Sequence, residues 1–139
     1  MIYLISGGVF LLQKGGLLVR TYISNMLIPV KDVRVTVTQN NERGNKIIAF
    51  RTTDENGKTD VIEIDTPDIS LSLDENNRQQ PFTNVNIKVE KDGFAIFVIK
   101  DVQIFADRLS EQNVEMIPLP EKSEYDEFNN VYIVTPQNL

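Results

Sequence analysis

Strict alternation of apolar and polar residues constrains this chain more than any other feature of its sequence. In residues 33–38 three valines alternate with one arginine and two threonines. A period of two matches a β-strand with one buried face and one solvent-exposed face. The same period, or a short apolar run, recurs in residues 17–24, 46–53, 59–64, 85–91, 94–99, 102–106 and 113–119.

Turn-forming residues separate these segments at intervals of roughly ten residues, and no stretch keeps the 3.6-residue period of an amphipathic helix. Regular short strands with turns between them are typical of two packed sheets. The sequence therefore predicts an all-β protein, a single antiparallel β-sandwich of about seven strands. Residues 94–99 are apolar on both faces, which predicts a central strand that is covered on both sides.

A length of 139 residues predicts one domain with a core of its own. We assign residues 16–120 to the sandwich. Residues 1–15 form an apolar leader, either a hairpin or disordered, and residues 121–139 form an acidic tail whose Val131–Val134 segment is a candidate late strand. The apolar run of the leader is shorter than the roughly 20 residues of a membrane span, and no signal peptide is recognisable.

Composition removes several classes of function. A net charge of −6 argues against nucleic acid as a partner, because phosphate binding needs a basic surface. The chain contains no cysteine and no histidine, which excludes disulfides, thiol nucleophiles, Ser-His-Asp triads and the usual zinc sites. We therefore expect a protein that is not an enzyme and that uses no metal and no cofactor.

The polar cluster of residues 54–58 is the strongest candidate for a metal loop. Asp54, Asn56 and Gly57 match a fragment of a calcium loop, but Lys58 follows directly and the closing glutamate is absent at the required spacing. Asn-Gly is a strong hairpin signal, since both residues tolerate positive φ. We therefore expect a structural turn at Asn56 and Gly57 that joins two strands, and a second turn at Gly93.

Paired carboxylates and exposed aromatic residues offer two further candidate sites. Neighbouring carboxylates offer glycosidase-like pairs, but twenty acids in a chain of this length are mostly a solvated surface. Four aromatic residues lie in segments predicted as loop or tail, where they either stack on a ligand or pack locally over a sheet edge. The partner-binding loops we expect on this basis comprise Asp54, Glu55, Asn56, Asn76, Asn77, Arg78 and Phe82.

Three motifs carry a resemblance to a known family. "IPVKDVRVTV" (28–37), "TTDENGKT" (52–59) and "VEKDGF" (89–94) resemble the carboxypeptidase regulatory-like domain, a transthyretin-like sandwich. Further stretches, among them "PFTNVNIKVEKDGF" and the closing "TPQNL", are similar to the non-catalytic N-terminal module of clostridial spore cortex-lytic enzymes and to short stand-alone proteins of that kind. This resemblance covers about residues 16–139 and leaves the leader outside.

The resemblance implies a spore or cell-wall context and carries over no catalytic residue. The function we expect is a non-catalytic binding or targeting module in cortex or cell-wall remodelling, whose partner is a protein or peptidoglycan. The alternative is a self-assembling structural protein of a coat or surface, a homo-oligomer that forms through sheet edges or the leader. The cellular compartment follows only from the resemblance.

Overall fold

A computed structural model describes residues 2–5, 8–41, 44–67, 81–120 and 131–134, and gives residues 2–5, 8–12 and 41 as backbone alone. This part of the chain is all-β, as the alternation predicts. Its strands are β1 (Ile2–Ile5), β2 (Gly8–Ile23), β3 (Ile28–Pro29), β4 (Arg34–Asn41), β5 (Gly44–Thr52), β6 (Ile62–Pro67), β7 (Phe82–Glu90), β8 (Ile96–Phe105), β9 (Leu109–Glu115) and β10 (Val131–Val134).

The strands form two sheets. In the first sheet the long strand β2 pairs with β1, β3, β6 and β9 along different parts of its length. The second sheet has the order β10-β8-β7-β4-β5. Some consecutive strands pair with each other, as β4 and β5 do, and others lie in different sheets, as β8 and β9 do.

The core lies between the sheets. Val33, Val35 and Val37 are fully buried, while Arg34 and Thr36 on the opposite face are partly exposed. This confirms the alternation predicted for residues 33–38. The buried apolar cluster draws on both sheets and gives a sandwich-like arrangement; it includes Leu17, Val19, Ile62, Ile64, Val85, Ile87, Val89, Ile99, Ile104, Val114 and Met116.

The prediction of a purely antiparallel arrangement is wrong, and the predicted number of about seven strands is not confirmed. The described residues contribute ten strands, and two pairs are parallel: β2 with β9, and β8 with β10. Alternation reports which face of a strand is buried and is the same for either strand direction, so it does not distinguish parallel from antiparallel pairing.

The predicted hairpin around Asn56 and Gly57 is also wrong. The flanking strands do not pair with each other, because β5 belongs to the second sheet and β6 to the first. A two-residue hairpin of the Asn-Gly type needs positive φ at both residues. Here Gly57 has a φ of +74°, whereas Asn56 does not have a positive φ. The segment is a turn between sheets.

One strand boundary differs from the sequence assignment. The segments 94–99 and 102–106 belong mostly to one strand, β8, which continues through Asp101 with a φ of 60°. The Asp101 amide donates to the side-chain oxygen of Asn86 on β7, so the irregularity is bonded within the sheet. At the N-terminus β2 runs without a break past residue 15, and at the C-terminus β10 lies along β8.

Candidate functional site

A groove opens where one end of β2 meets β8 and β9. Its volume is about 730 Å³, within the range of small-molecule and peptide sites. The turn after β2 and the segment after β9 form its rim, and β10 contributes Val134. The lining residues are Tyr22, Ile23, Ser24, Phe97, Ile99, Gln112, Asn113, Val114, Glu115, Met116, Ile117, Pro118 and Val134.

The residues that line the groove are mainly apolar, and a few of them are polar. Ile99, Val114 and Met116 also belong to the buried core, so the groove reaches into the space between the sheets. Gln112 is buried, Glu115 is exposed, and the lining includes no lysine or arginine. Such a surface suits an apolar ligand that offers a few hydrogen-bonding groups.

A sheet edge runs along the groove. Among the described residues β9 pairs with β2 and with no other strand. Beyond β9 the chain crosses to the second sheet, where the Ala95 amide donates to the Ile117 carbonyl at 2.9 Å and Phe94 bridges Pro118. The groove is therefore closed at this end and bordered by an edge strand, which is the arrangement that accepts an added strand.

The rim contains an unusual backbone. Ser24, Asn25 and Met26 have φ values of 54°, 54° and 71°, in the left-handed region that residues other than glycine rarely adopt. The Asn25 amide donates to the Glu115 carboxylate at 3.3 Å, and this bond ties the turn to β9. The next residue, Leu27, is 81% exposed. A strained turn that displays apolar side chains marks a candidate contact surface.

The cluster at residues 54–58 is organised by its own backbone. One carboxylate oxygen of Asp54 accepts from the amides of Asn56 at 2.8 Å and Lys58 at 3.1 Å, which is the pattern of an Asx turn. The Gly57 amide donates to the Asp54 carbonyl at 2.9 Å. The aspartate therefore supports the turn, whereas the Glu55 side chain is exposed and has no role in these bonds.

This turn packs against β2 on the side away from the groove. The Gly57 carbonyl accepts from the Thr21 amide at 2.7 Å, whereas the carbonyl of the next residue, Tyr22, accepts from the Met116 amide at 2.7 Å. Successive strand residues direct their backbone groups to opposite edges. The 54–58 turn and the groove therefore lie along opposite edges of β2, and the structure does not bring them into one site.

The other residues proposed from the sequence are dispersed. Phe82 begins β7 and packs on Phe105, with ring centroids 5.5 Å apart, and Arg108 lies over the Phe105 ring at 5.7 Å. Gly93 lies in the exposed turn before β8 with a φ of +86°. Asn76, Asn77 and Arg78 fall outside the described residues.

Sequence reasoning missed the groove because its lining reads as ordinary core. Val114 and Met116 alternate with polar neighbours as in any half-buried strand. One available signal was residues 26–28, three apolar residues in succession in a segment that the sequence marks as a loop.

No group of three or more acidic side chains in the described ranges is placed to hold a metal ion. Within the described residues, no helix is long and apolar enough to cross a membrane. No protein-family model matches the chain, and no curated protein is significantly similar to it.

Proposed function

We propose that this protein is a non-catalytic binding module of the transthyretin-like sandwich type, active in spore cortex or cell-wall remodelling. The observation that supports binding is the groove between β2, β8 and β9. The context rests on the resemblance of "PFTNVNIKVEKDGF" and the closing "TPQNL" to the module of cortex-lytic enzymes.

Of the two ligand classes that the resemblance implies, the groove favours a protein. A glycan chain is recognised through many hydroxyl groups, and the lining residues are mostly aliphatic. An extended protein segment would instead use both features of the site. Its backbone would pair with the edge strand β9 while alternate apolar side chains entered the groove.

Binding without catalysis agrees with the residues at hand. The groove includes one carboxylate, Glu115, and that group accepts a hydrogen bond from the strained turn. Asp65 lies two residues from Glu63 on β6 and forms an ion pair with Lys14 at 2.7 Å. Both of these carboxylates therefore form contacts that stabilise the local structure.

Retention on purified cortex peptidoglycan, with and without a cortex-lytic enzyme, tests this function. We expect the chain to be retained with the enzyme present and Ile117→Glu, which places a charge on the groove rim, to weaken retention at least tenfold. Ile47→Glu is the matched control, because Ile47 is exposed on β5, outside the groove. No retention in either arm, or equal loss in both variants, would refute the proposal.

The second candidate function is self-assembly as a structural subunit. It is favoured by β1, which pairs with β2 alone among the described strands, and by Ile47 and Phe50, both more than half exposed on the edge strand β5. Light scattering of the full chain tests it, and a monomer at high concentration would refute it. A chain that starts at Gly16 is a poor control, since residues 12–15 pair with β6.

A further inference from the structure

We propose that the groove recognises one primary-amide side chain, of asparagine or glutamine, on the extended protein segment that it binds, and that Gln112 is the residue that recognises it. This inference rests on the proposed binding function and deepens it, because it names a side chain that the partner must carry. Gln112 thereby determines which apolar segments the groove accepts.

Gln112 is a buried polar residue on the wall of the groove. It lies on β9 and is only 3% exposed, yet its side chain forms no hydrogen bond with any other residue that the structure describes. A primary amide carries two N–H donors and a carbonyl acceptor, and burying these groups without partners is unfavourable. A buried amide that lacks partners and lines an open groove is placed to bind a ligand.

Buried polar side chains that serve the fold have partners. The hydroxyls of Thr21 and Thr53 both donate to the Val30 carbonyl, at 2.8 Å and 2.9 Å. Thr66 on β6 differs from them, because its buried hydroxyl has no partner, but Thr66 does not line the groove. Thr66 therefore offers a control that shares the unpaired polar group and lies outside the site.

The alternation along β9 determines what Gln112 can contact. Gln112, Val114 and Met116 are buried and line the groove, whereas Glu115 between them is exposed. A strand added to the edge of β9 would place alternate side chains on the same inner face, directly beside these three residues. The bound segment would therefore present one side chain to Gln112 and its next two inward-facing side chains to Val114 and Met116.

A primary amide is the side chain that best satisfies Gln112. An apolar side chain would leave the amide of Gln112 unpaired. A charged side chain would be buried against a mainly aliphatic lining, and a carboxylate would also meet Glu115. Because an amide supplies both a donor and an acceptor, it can form two hydrogen bonds with Gln112 at once and remain uncharged.

The chain itself provides an extended segment of suitable chemistry at the border of the groove. The strand β10 lies along β8, Tyr132 stacks on Phe97 with ring centroids 5.3 Å apart, and Val134 lines the groove. In the sequence "NVYIVT" (130–135), Asn130, Tyr132 and Val134 stand at alternate positions, so an amide is followed by two apolar side chains. A synthetic peptide of this sequence is therefore the probe for the groove.

Fluorescence anisotropy with the capped, labelled peptide NVYIVT and with LVYIVT, which lacks the amide, tests the proposal. We expect the full chain to bind NVYIVT about tenfold more tightly or better, and Gln112→Met to lose this preference. Urea unfolding of Gln112→Met should show a midpoint raised by about 0.5 M, because an unpaired buried amide is removed. The control Thr66→Val should also raise the midpoint but keep the preference for NVYIVT.

A raised midpoint together with a lost preference in Gln112→Met supports recognition of an amide. A lowered midpoint in this variant shows that the amide stabilises the fold, and it overturns the inference. Equal affinity of the full chain for both peptides, no binding of either peptide, or a preference that survives in Gln112→Met overturns it as well. Retention of the chain with a cortex-lytic enzyme is measured separately, so the proposed function can stand when the amide preference fails.

Discussion

Replacing Gly57 with alanine tests how tightly the 54–58 turn is packed on β2. The residue is buried and has a φ of +74°. A Cβ atom added there would lie 2.3 Å from the Thr21 carbonyl oxygen, 3.1 Å from the Pro29 Cβ and 3.2 Å from the Val30 amide nitrogen. Two of these three neighbours are backbone atoms, which cannot rotate out of the way.

Two separate costs follow. Left-handed backbone costs a residue other than glycine about 1–2 kcal/mol. Relieving the contact with Thr21 requires the turn to move away from β2, which adds about 1–3 kcal/mol of overpacking strain and weakens a hydrogen bond worth about 1 kcal/mol. We expect Gly57→Ala to lower the free energy of unfolding by about 3–5 kcal/mol, and Gly57→Val by more.

Gly93→Ala is the matched control. Gly93 has a similar φ of +86°, but nothing lies within 4 Å of a Cβ added there. Only the backbone cost applies, so we expect a loss of about 1–2 kcal/mol. Urea unfolding followed by circular dichroism should separate the two variants by about 1 M in midpoint. Equal losses in both variants would refute the packing argument and leave only the effect of φ.

Two further substitutions probe the hydrogen bonds of the same region by urea unfolding. Asp54→Ala removes the acceptor of two turn amides and should cost about 1–2 kcal/mol. Asp54→Asn keeps an oxygen there and should cost less than about 1 kcal/mol, and we expect no calcium response either before or after this substitution. Equal losses would contradict the Asx turn. Thr53→Val removes the buried hydroxyl that accepts from the Val33 amide and donates to the Val30 carbonyl. We expect this substitution to lower the free energy of unfolding by about 2–3 kcal/mol, and Thr53→Ser, which keeps the hydroxyl, to lower it much less.

The strands could be predicted because the burial of one face produces a local alternation of apolar and polar residues in the sequence. Val33, Val35 and Val37 are buried together because successive side chains of a strand face opposite sides of the sheet. Each strand needs one apolar face whatever its neighbours are. Fold class and most strand positions follow from this local rule.

Pairing could not be predicted in the same way. The Asn56-Gly57 sequence predicts a hairpin, yet the buried hydroxyls of Thr53 and Thr59 bond to the backbone at Val30, Val33 and Val19 and hold the turn between the sheets. These contacts join residues far apart in sequence, so no local pattern reports them. Tertiary hydrogen bonds overrode the local turn preference.

The groove was beyond prediction for a related reason. Its walls come from four strands of two sheets, and its apolar lining residues are chemically the same as those that fill the core. Whether Met116 is covered by a neighbouring strand or borders open space depends on the strand order, which alternation does not encode. The polarity of the sequence around Asp54 instead predicts a partner-binding loop there.

The parallel pairing of β2 with β9 determines when the first sheet can be completed during synthesis. Its register places Gly16 opposite Leu109. The strand β2 can therefore pair with β9 only after more than 90 further residues have been synthesised. During synthesis β2 leaves the ribosome long before its partner exists, and its apolar residues stay accessible to chaperones or to other nascent chains. Completion of the first sheet is a late, long-range event, and slow folding is the expected consequence of that topology.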